Sequence, residues 1–450
     1  MEKQLDGIYN LLWGTPMLLL MLGVGVWLTV CTRCVQVRFF PSAVRRFLHR
    51  ENAGADGVSP FRALCTALAA TVGTGNIVGV AGAISLGGPG AVLWMLFFSF
   101  FGMAVKYAEA TLAVRFHTCE NGEIVGGPMY MIQLGLPKIF LPLAGIYSFC
   151  GILASFGVGN LTQVNAIVTG MQSVVGASRL SPVVIGIVLM GFVGVAFWKG
   201  TDSIGRFAEC LVPCAAGIYI VLCLVFLICK IRSIPAALQN ILAGAFSPRA
   251  VTGGIIGSAL RALQVGCSRG VFTHEAGMGT ASIAHASANT AHPAEQGMMG
   301  LIEVFLDTFV ICTMTALVIL CSGCKIPYGI DTGAKLTISA FSVVYGRFGK
   351  LIVTAFLTVF AYATILGWSF YGVRCTRYLF GCKAEPWYFT LQTAVVLLGA
   401  VMNTSVVWKM AEVFNGLMAI PNLLVLLLLS PVLKSVTNSY TRESSIRKWR

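Results

Sequence analysis

The chain has 450 residues, 57% hydrophobic and 11% charged, with a mean hydropathy of +0.82. Soluble domains carry about 25% charged residues, so this composition excludes a water-soluble globule and implies a polytopic membrane protein. The net charge of +14 is the Lys and Arg excess of cytoplasmic loops and tails, not a nucleic-acid footprint, and no nucleic-acid partner is expected.

Apolar runs of about 20 residues, the length that crosses a bilayer, fall near 11–32, 62–86, 88–115, 139–172, 181–198, 205–229, 250–285, 294–321, 348–373, 387–402 and 408–432. The first lacks a small-residue cleavage pattern and is kept as a span. The loop after it carries Arg33, Arg38, Arg45, Arg46, Arg50 and Arg62, and the C-terminal tail carries Lys434, Arg442, Arg447, Lys448 and Arg450. The positive-inside rule places both in the cytoplasm and the N-terminus outside. Most of the 15 cysteines lie inside apolar runs, where they act as small hydrophobes. The pairs Cys31/Cys34 and Cys321/Cys324 fall on opposite faces in this topology, so a shared zinc site is not expected.

The second run contains Thr71-Val72-Gly73-Thr74-Gly75-Asn76, a poor helix interior. In lipid an unwound backbone survives only where protein or a water-filled cavity satisfies its polar groups. A broken helix at mid-membrane points to a transporter's substrate and ion site; close helix packing by small residues is the competing reading. If the helix breaks, the N–H groups of Thr74 and Gly75 can face a carboxylate, aided by the positive end of the following half-helix. Carbonyls of Ala69, Thr71 or Val72 and the amide oxygen of Asn76 can face a hard cation. A zwitterion travelling with a cation fits such a site.

In the third span, Lys106 and Glu109 sit three residues apart and read as a helical ion pair. The fourth is tilted or divided near Gly157-Val158-Gly159, and its Gln163 can receive an ammonium through its carbonyl oxygen or make an interhelical hydrogen bond. The seventh is the least hydrophobic, with the insert Arg269-Gly270-Val271-Phe272-Thr273-His274-Glu275-Ala276-Gly277-Met278-Gly279. Here Arg269 and Glu275 either neutralise each other or touch substrate, and Phe272 and Met278 read as pocket walls. No second histidine follows His274-Glu275 at metalloprotease spacing. In the ninth span Thr364 offers a hydroxyl to an ion or bonds back to its own helix, and Trp368 offers an indole to a small pocket.

The glycine-broken second span and the polar seventh span are five spans apart and so cross in opposite directions. That is the pattern of two inverted repeats, near 62–229 and 250–432, with the first span peripheral, all within one membrane domain, 1–450. The expected fold class is therefore all-α and polytopic, with about eleven transmembrane helices and a five-plus-five core.

These motifs together resemble the alanine or glycine:cation symporter family, also called sodium:alanine symporters. The resemblance spans nearly the whole chain through T-x-G-T-G-N-I-x-G-V-A-x-A-I, G-M-x-x-K-Y-A-E, G-N-x-x-Q, R-G-x-F-x-x-E-A-G-M-G and T-I-L-G-W. It implies the fold of the neurotransmitter:sodium symporters, in a prokaryotic inner membrane. It also implies that Thr74 and Gly75 N–H groups hold the substrate carboxylate, with Gln163, Phe272, Thr273, Gly277, Met278 and Trp368 lining the pocket. Ala69 and Val72 carbonyls with Thr364 would bind one Na⁺, and Asn76 with the Thr71 carbonyl matches a second ion position of the wider group. The chain departs from the family where Phe272-Thr273-His274 precedes the glutamate, where Ala363 replaces a common hydroxyl residue, and where Val373 replaces a glutamate.

The expectation is a secondary active symporter importing alanine or glycine with Na⁺, with no organic cofactor, no obligate protein partner and no enzymatic step. Proton coupling on the same fold is the alternative. A channel is disfavoured because no ring of like residues is seen, and an enzyme because no nucleophile–base pair or metal cluster is seen.

Overall fold

The computed structural model describes residues 2–49, 58–176, 181–198 and 201–448. Arg50 and Arg450 of the basic segments lie outside the described residues. The chain opens with α1 (Glu2–Leu12), α2 (Thr15–Cys31) and α3 (Phe40–Leu48). The first core crossing is the bent pair α4 (Pro60–Thr71) and α5 (Gly75–Gly87), which meet at 50°. Then come α6 (Ala91–Arg115), a hairpin of β1 (Thr118–Glu120) and β2 (Glu123–Val125), and α7 (Lys138–Val175). They are followed by α8 (Pro182–Trp198), α9 (Thr201–Cys229) and α10 (Ile234–Phe246). A second interrupted crossing is formed by α11 (Ala259–His274) and α12 (Thr280–His285). The remainder comprises α13 (Pro293–Cys321), α14 (Ala334–Tyr345), α15 (Arg347–Phe380), α16 (Glu385–Val401), α17 (Thr404–Leu428) and α18 (Ser430–Lys448).

Every expected apolar run falls on helix. Among the described residues, seven helices are long and apolar enough to cross a membrane, and the bent pair brings the number to 8. Two boundaries differ from expectation. The last crossing ends at Leu428, and the following basic segment is the separate helix α18 rather than a plain tail. The seventh run is not continuous from 250: a short helix, Pro248–Thr252, ends where Gly253 and Gly254 take left-handed φ values of 67° and 85° that no continuing α-helix accepts, and helix resumes at Ala259.

Local chemistry explains the breaks. Ser59 caps α4 by accepting the Arg62 N–H at 3.1 Å, with Pro60 at the first helical position. The helix stops at Val72, whose ψ of 89° leaves the helical region, and the Asn76 side chain accepts the freed Gly73 N–H at 2.9 Å. The stop of α11 is sharper. Glu275, Gly277 and Gly279 all have positive φ, 54°, 95° and 77°, a run that unwinds the chain completely.

Helices α6, α11 and α13 pack into one body, and α7 with α15 into another, with α8 and α16 stacked outside the latter. Small residues set the closeness of the first body. The Cβ positions of Gly266 and Gly300 are filled by backbone of α6. Gly90 is tighter still, because Gly244 and Ala245 of α10 occupy the space of its missing side chain.

Gly90→Ala is therefore expected to destabilise the protein by about 1–3 kcal/mol through forced backbone movement. Gly191→Ala, with nothing within 4 Å of its Cβ position, should be neutral. Thermal unfolding of the two purified variants in one detergent checks the contrast.

Candidate functional site

The two breaks lie against each other and against α7 and α15. At the first, the Thr74 N–H points at Gln163 Oε1, 3.4 Å away on α7. A Cβ on Gly73 would strike the Thr364 hydroxyl and come within 3.5 Å of Gln163 Oε1. One on Gly75 would meet Thr273 Cγ2 at 3.0 Å and Phe272 Cδ1 at 3.3 Å. The fold thus gathers Gly73, Thr74, Gly75, Gln163, Phe272, Thr273 and Thr364 from four helices. All but glycine supply side chains nearly or wholly buried. The Thr74 hydroxyl is buried without a partner.

Thr364 does not bond back to its own helix. Its hydroxyl donates to the Ala69 carbonyl, 3.1 Å away across the interface. This places a carbonyl and a hydroxyl side by side where the resemblance implies an ion. Val72 is buried beside them, its N–H bonded to the Leu68 carbonyl at 2.8 Å, while the Thr71 hydroxyl turns to Ala67. Ala363 is buried and adds no ligand atom from its side chain.

The Gln163 amide nitrogen donates to the Val158 carbonyl at 2.9 Å, which turns its oxygen toward the break. Trp368 packs its Cβ on Gly159, which has no room for a side chain, and donates its indole N–H to Glu275 Oε1 at 2.7 Å. Phe272 lies against Trp408, centroids 4.8 Å apart, and the Arg269 guanidinium carbon lies 4.7 Å from the Trp408 ring centroid.

Gly277 and Met278 take a different place from the other pocket residues. The Gly277 N–H donates to Glu109, its carbonyl accepts from Asn422, and its Cβ position faces Leu423 and Met21. The Met278 carbonyl accepts from Tyr147 at 3.0 Å. Their polar backbone groups hold the break in shape.

Two charge pairings expected from the sequence are replaced by longer-range ones. Lys106 pairs with Glu303, 3.1 Å away on α13, and not with Glu109. Glu109 instead accepts three N–H bonds, from Gly277, Gly279 and the Asn422 side chain, at 2.7–2.9 Å. Arg269 pairs with Asp331 at 3.0 Å and Glu412 at 3.3 Å, leaving Glu275 to Trp368 and Thr280. Helical spacing favours near pairs, but a buried charge takes whichever partner the fold brings alongside it.

Asp307 was not singled out from the sequence. It is fully buried in a π-helical stretch, Phe305–Cys312, and accepts from Asn76 Nδ2 at 2.6 Å and Thr308 at 2.8 Å. Asn76 is thus a bridge, its oxygen on Gly73 and its nitrogen on Asp307. The signal was a carboxylate inside an otherwise apolar run.

A sequence model described as the Sodium:alanine symporter family matches residues 1–449. The chain belongs to the sodium:alanine symporter family. It is 42% identical over 448 residues to the sodium/alanine symporter AgcS of Methanococcus maripaludis, covering 98% of this chain and 97% of that one. It is 34% identical over 452 residues to a probable sodium/glutamine symporter, GlnT, of Bacillus subtilis, covering 99% and 92%. The crystal structure of MhsT in complex with L-phenylalanine superposes with a TM-score of 0.59 at 16% identity, over 85% of this chain and 99% of that one, which shows a shared transporter fold. The symporter is thus a multi-pass membrane protein, and the activity of its family is sodium-coupled amino acid symport.

Trp368→Phe keeps an aromatic ring but leaves Glu275 Oε1 without its donor. A buried acceptor stranded in this way costs about 1–3 kcal/mol. The expected outcome is a lower unfolding temperature for Trp368→Phe and for Glu275→Gln, with the double variant less destabilised than the sum of the two; additive losses would show that the bond contributes nothing.

Proposed function

We propose that this symporter imports a small neutral amino acid, alanine or glycine, together with Na⁺. The observation that carries the reading is the single gathering of Thr74 and Gly75 N–H groups, the Gln163 oxygen and the Ala69–Thr364 oxygen pair. The Thr74 and Gly75 amides suit a carboxylate. Gln163 Oε1 suits an ammonium. The oxygen pair, with the Val72 carbonyl, suits a hard cation. Phe272, Thr273 and Trp368 close the remaining space, so size sets selectivity.

Nothing in this chemistry requires a covalent step or an organic cofactor. Substrate and Na⁺ lie between the body of α6, α11 and α13 and that of α7 and α15, and rocking of the two inverted repeats, 62–229 and 250–432, exposes them to each side in turn. The basic segment around α3 and the basic α18 then face the cytoplasm of the inner membrane, with the N-terminus outside. Coupling follows because ion and substrate together stabilise one arrangement of the two bodies better than either alone.

Labelled alanine uptake into proteoliposomes should exceed equilibrium under an imposed Na⁺ gradient and not under a proton gradient alone; accumulation with protons only would replace Na⁺ as the coupling ion. Serine should compete well and leucine poorly, since a methylene is worth about 1–3 kcal/mol in a tight pocket. Equal competition by leucine would remove the small-pocket reading. Thr364→Val, which conserves shape and deletes one ion ligand, should raise the Na⁺ concentration for half-maximal uptake roughly tenfold or more, about 1.4 kcal/mol per decade.

A further inference from the structure

A cavity of about 780 Å³ lies at one end of α7 and α15, and the transport reading does not use it. It forms where β1, the short helix Pro128–Gly135, the start of α7 and the end of α15 meet. Lys138 is the first residue of the apolar helix Lys138–Val175, and Arg377 and Tyr378 stand in the last turn of Arg347–Phe380. Both spans thus reach the membrane surface here, and Lys, Arg and Tyr are the residues that mark that surface. Along α15, Arg377 is about 20 Å from Thr364, at a rise of about 1.5 Å per residue.

The wall of the cavity is divided. Ile132, Leu134, Leu136 and Leu141 form an apolar side. Leu134 and Leu141 are 50% and 45% exposed, and the neighbouring Ile139 is 82% exposed. Such a group is costly in water; at the edge of a bilayer it meets acyl chains, so this side of the cavity is continuous with the lipid-facing surface. Glu120, Gln133, Lys138 and Arg377 form the polar side.

The charges on the polar side are not equally free. With Arg374, Arg377 surrounds Glu123, each guanidinium 2.6 Å from Oε2, and it pairs with Glu385 as well. These two guanidiniums and two carboxylates cancel. Glu120 and Lys138 are exposed, and among the described residues neither joins an ion pair. They line one cavity without bridging to each other. The Tyr130 hydroxyl bonds to Glu120, which steadies the carboxylate and leaves it further lone pairs to offer.

We propose that this cavity binds the headgroup of a phosphatidylethanolamine molecule of the membrane. Its ammonium meets Glu120, its phosphate meets Lys138, and an acyl chain lies along Leu134, Leu136 and Leu141. A carboxylate, an ammonium and an apolar rim together match a zwitterion that carries hydrocarbon, and the rim separates such a lipid from a free amino acid. Phosphatidylcholine fits less well. It has no N–H to donate to Glu120, and the aromatic cages that bind choline present ring faces, whereas Tyr130 is 3% exposed and packed edge-to-face on Tyr378. Phosphatidylglycerol satisfies Lys138 and leaves Glu120 facing a second negative charge. The site shares no residue with the substrate and ion contacts, so its test does not depend on transport.

The test is native mass spectrometry of the purified symporter in detergent with an equimolar mixture of dioleoyl phosphatidylethanolamine, phosphatidylcholine and phosphatidylglycerol. The expected result is retention of phosphatidylethanolamine over each of the others by roughly two- to fivefold, the range that a part-exposed ion pair supplies. Glu120→Gln should bring the three lipids to parity, Glu120→Asp should keep the preference, and Lys138→Gln should lower retention of all three. Equal retention by the wild type overturns the proposal, and so does a preference that survives in Glu120→Gln or retention unchanged in Lys138→Gln. Soluble glycerophosphoethanolamine, which has the headgroup and no chains, should not displace the bound lipid. Displacement by it would assign the cavity to a soluble zwitterion and overturn the lipid assignment.

Discussion

Backbone that leaves a helix inside a bilayer must find partners in the protein, and this constraint organises the centre of the molecule. At the first break Gly73 turns to Asn76, and Thr74 to Gln163 on another helix. At the second, Gly277 and Gly279 both turn to Glu109. The breaks differ in what they leave free. The first is capped by neutral amides and keeps donors and acceptors facing a shared space, which suits a guest that comes and goes. The second is tied down by a carboxylate and an asparagine from two helices, which suits a fixed frame.

How far this could be read in the sequence depended on the range of each interaction. The crossings were legible because hydrophobicity over about 20 residues is a local property, and the breaks because glycine weakens a helix wherever it sits. The grouping of Thr74, Gly75, Gln163, Phe272, Thr273 and Thr364 was legible through motifs. The charge pairs were not. Lys106 finds Glu303 almost two hundred positions away, and Arg269 finds Asp331 and Glu412 in separate elements. Spacing on one helix carries no information about such partners. Asp307 and Glu303 stand as acids in an otherwise apolar run, whose length and hydropathy carry no information about the groups each of them meets. Gly277 and Met278, which the motif assigns to the pocket, also brace the second break through their backbone groups, a role that a motif does not display.

The distribution of these bonds separates the protein into parts that stay together and parts that can move. Helices α6, α11 and α13 are joined by close glycine contacts, and the Lys106–Glu303–His285 network ties α6 and α13 to α12. Separating them would strand buried charges, so they travel as one body. Their neighbours α7 and α15 meet the breaks largely through single hydrogen bonds, Gln163 to Thr74, Thr364 to Ala69 and Trp368 to Glu275. Such bonds contribute about 0.5–1.5 kcal/mol each, more where a charge takes part, an amount that a bound ion or substrate can match.

That seam is also where the proposed ligands lie, and this has a consequence for coupling. A cation between the Ala69 carbonyl and the Thr364 hydroxyl would take oxygen from α4 and α15 at once. A substrate held by Thr74 and Gln163 would join the first break to α7 a short distance away. Each ligand then stabilises the arrangement in which the seam is closed, and each makes that arrangement easier for the other to find. Coupling in this design needs no direct ion–substrate bond. It needs only that the two ligands share a seam too weakly bonded to stay closed without them, between bodies too strongly bonded within themselves to come apart.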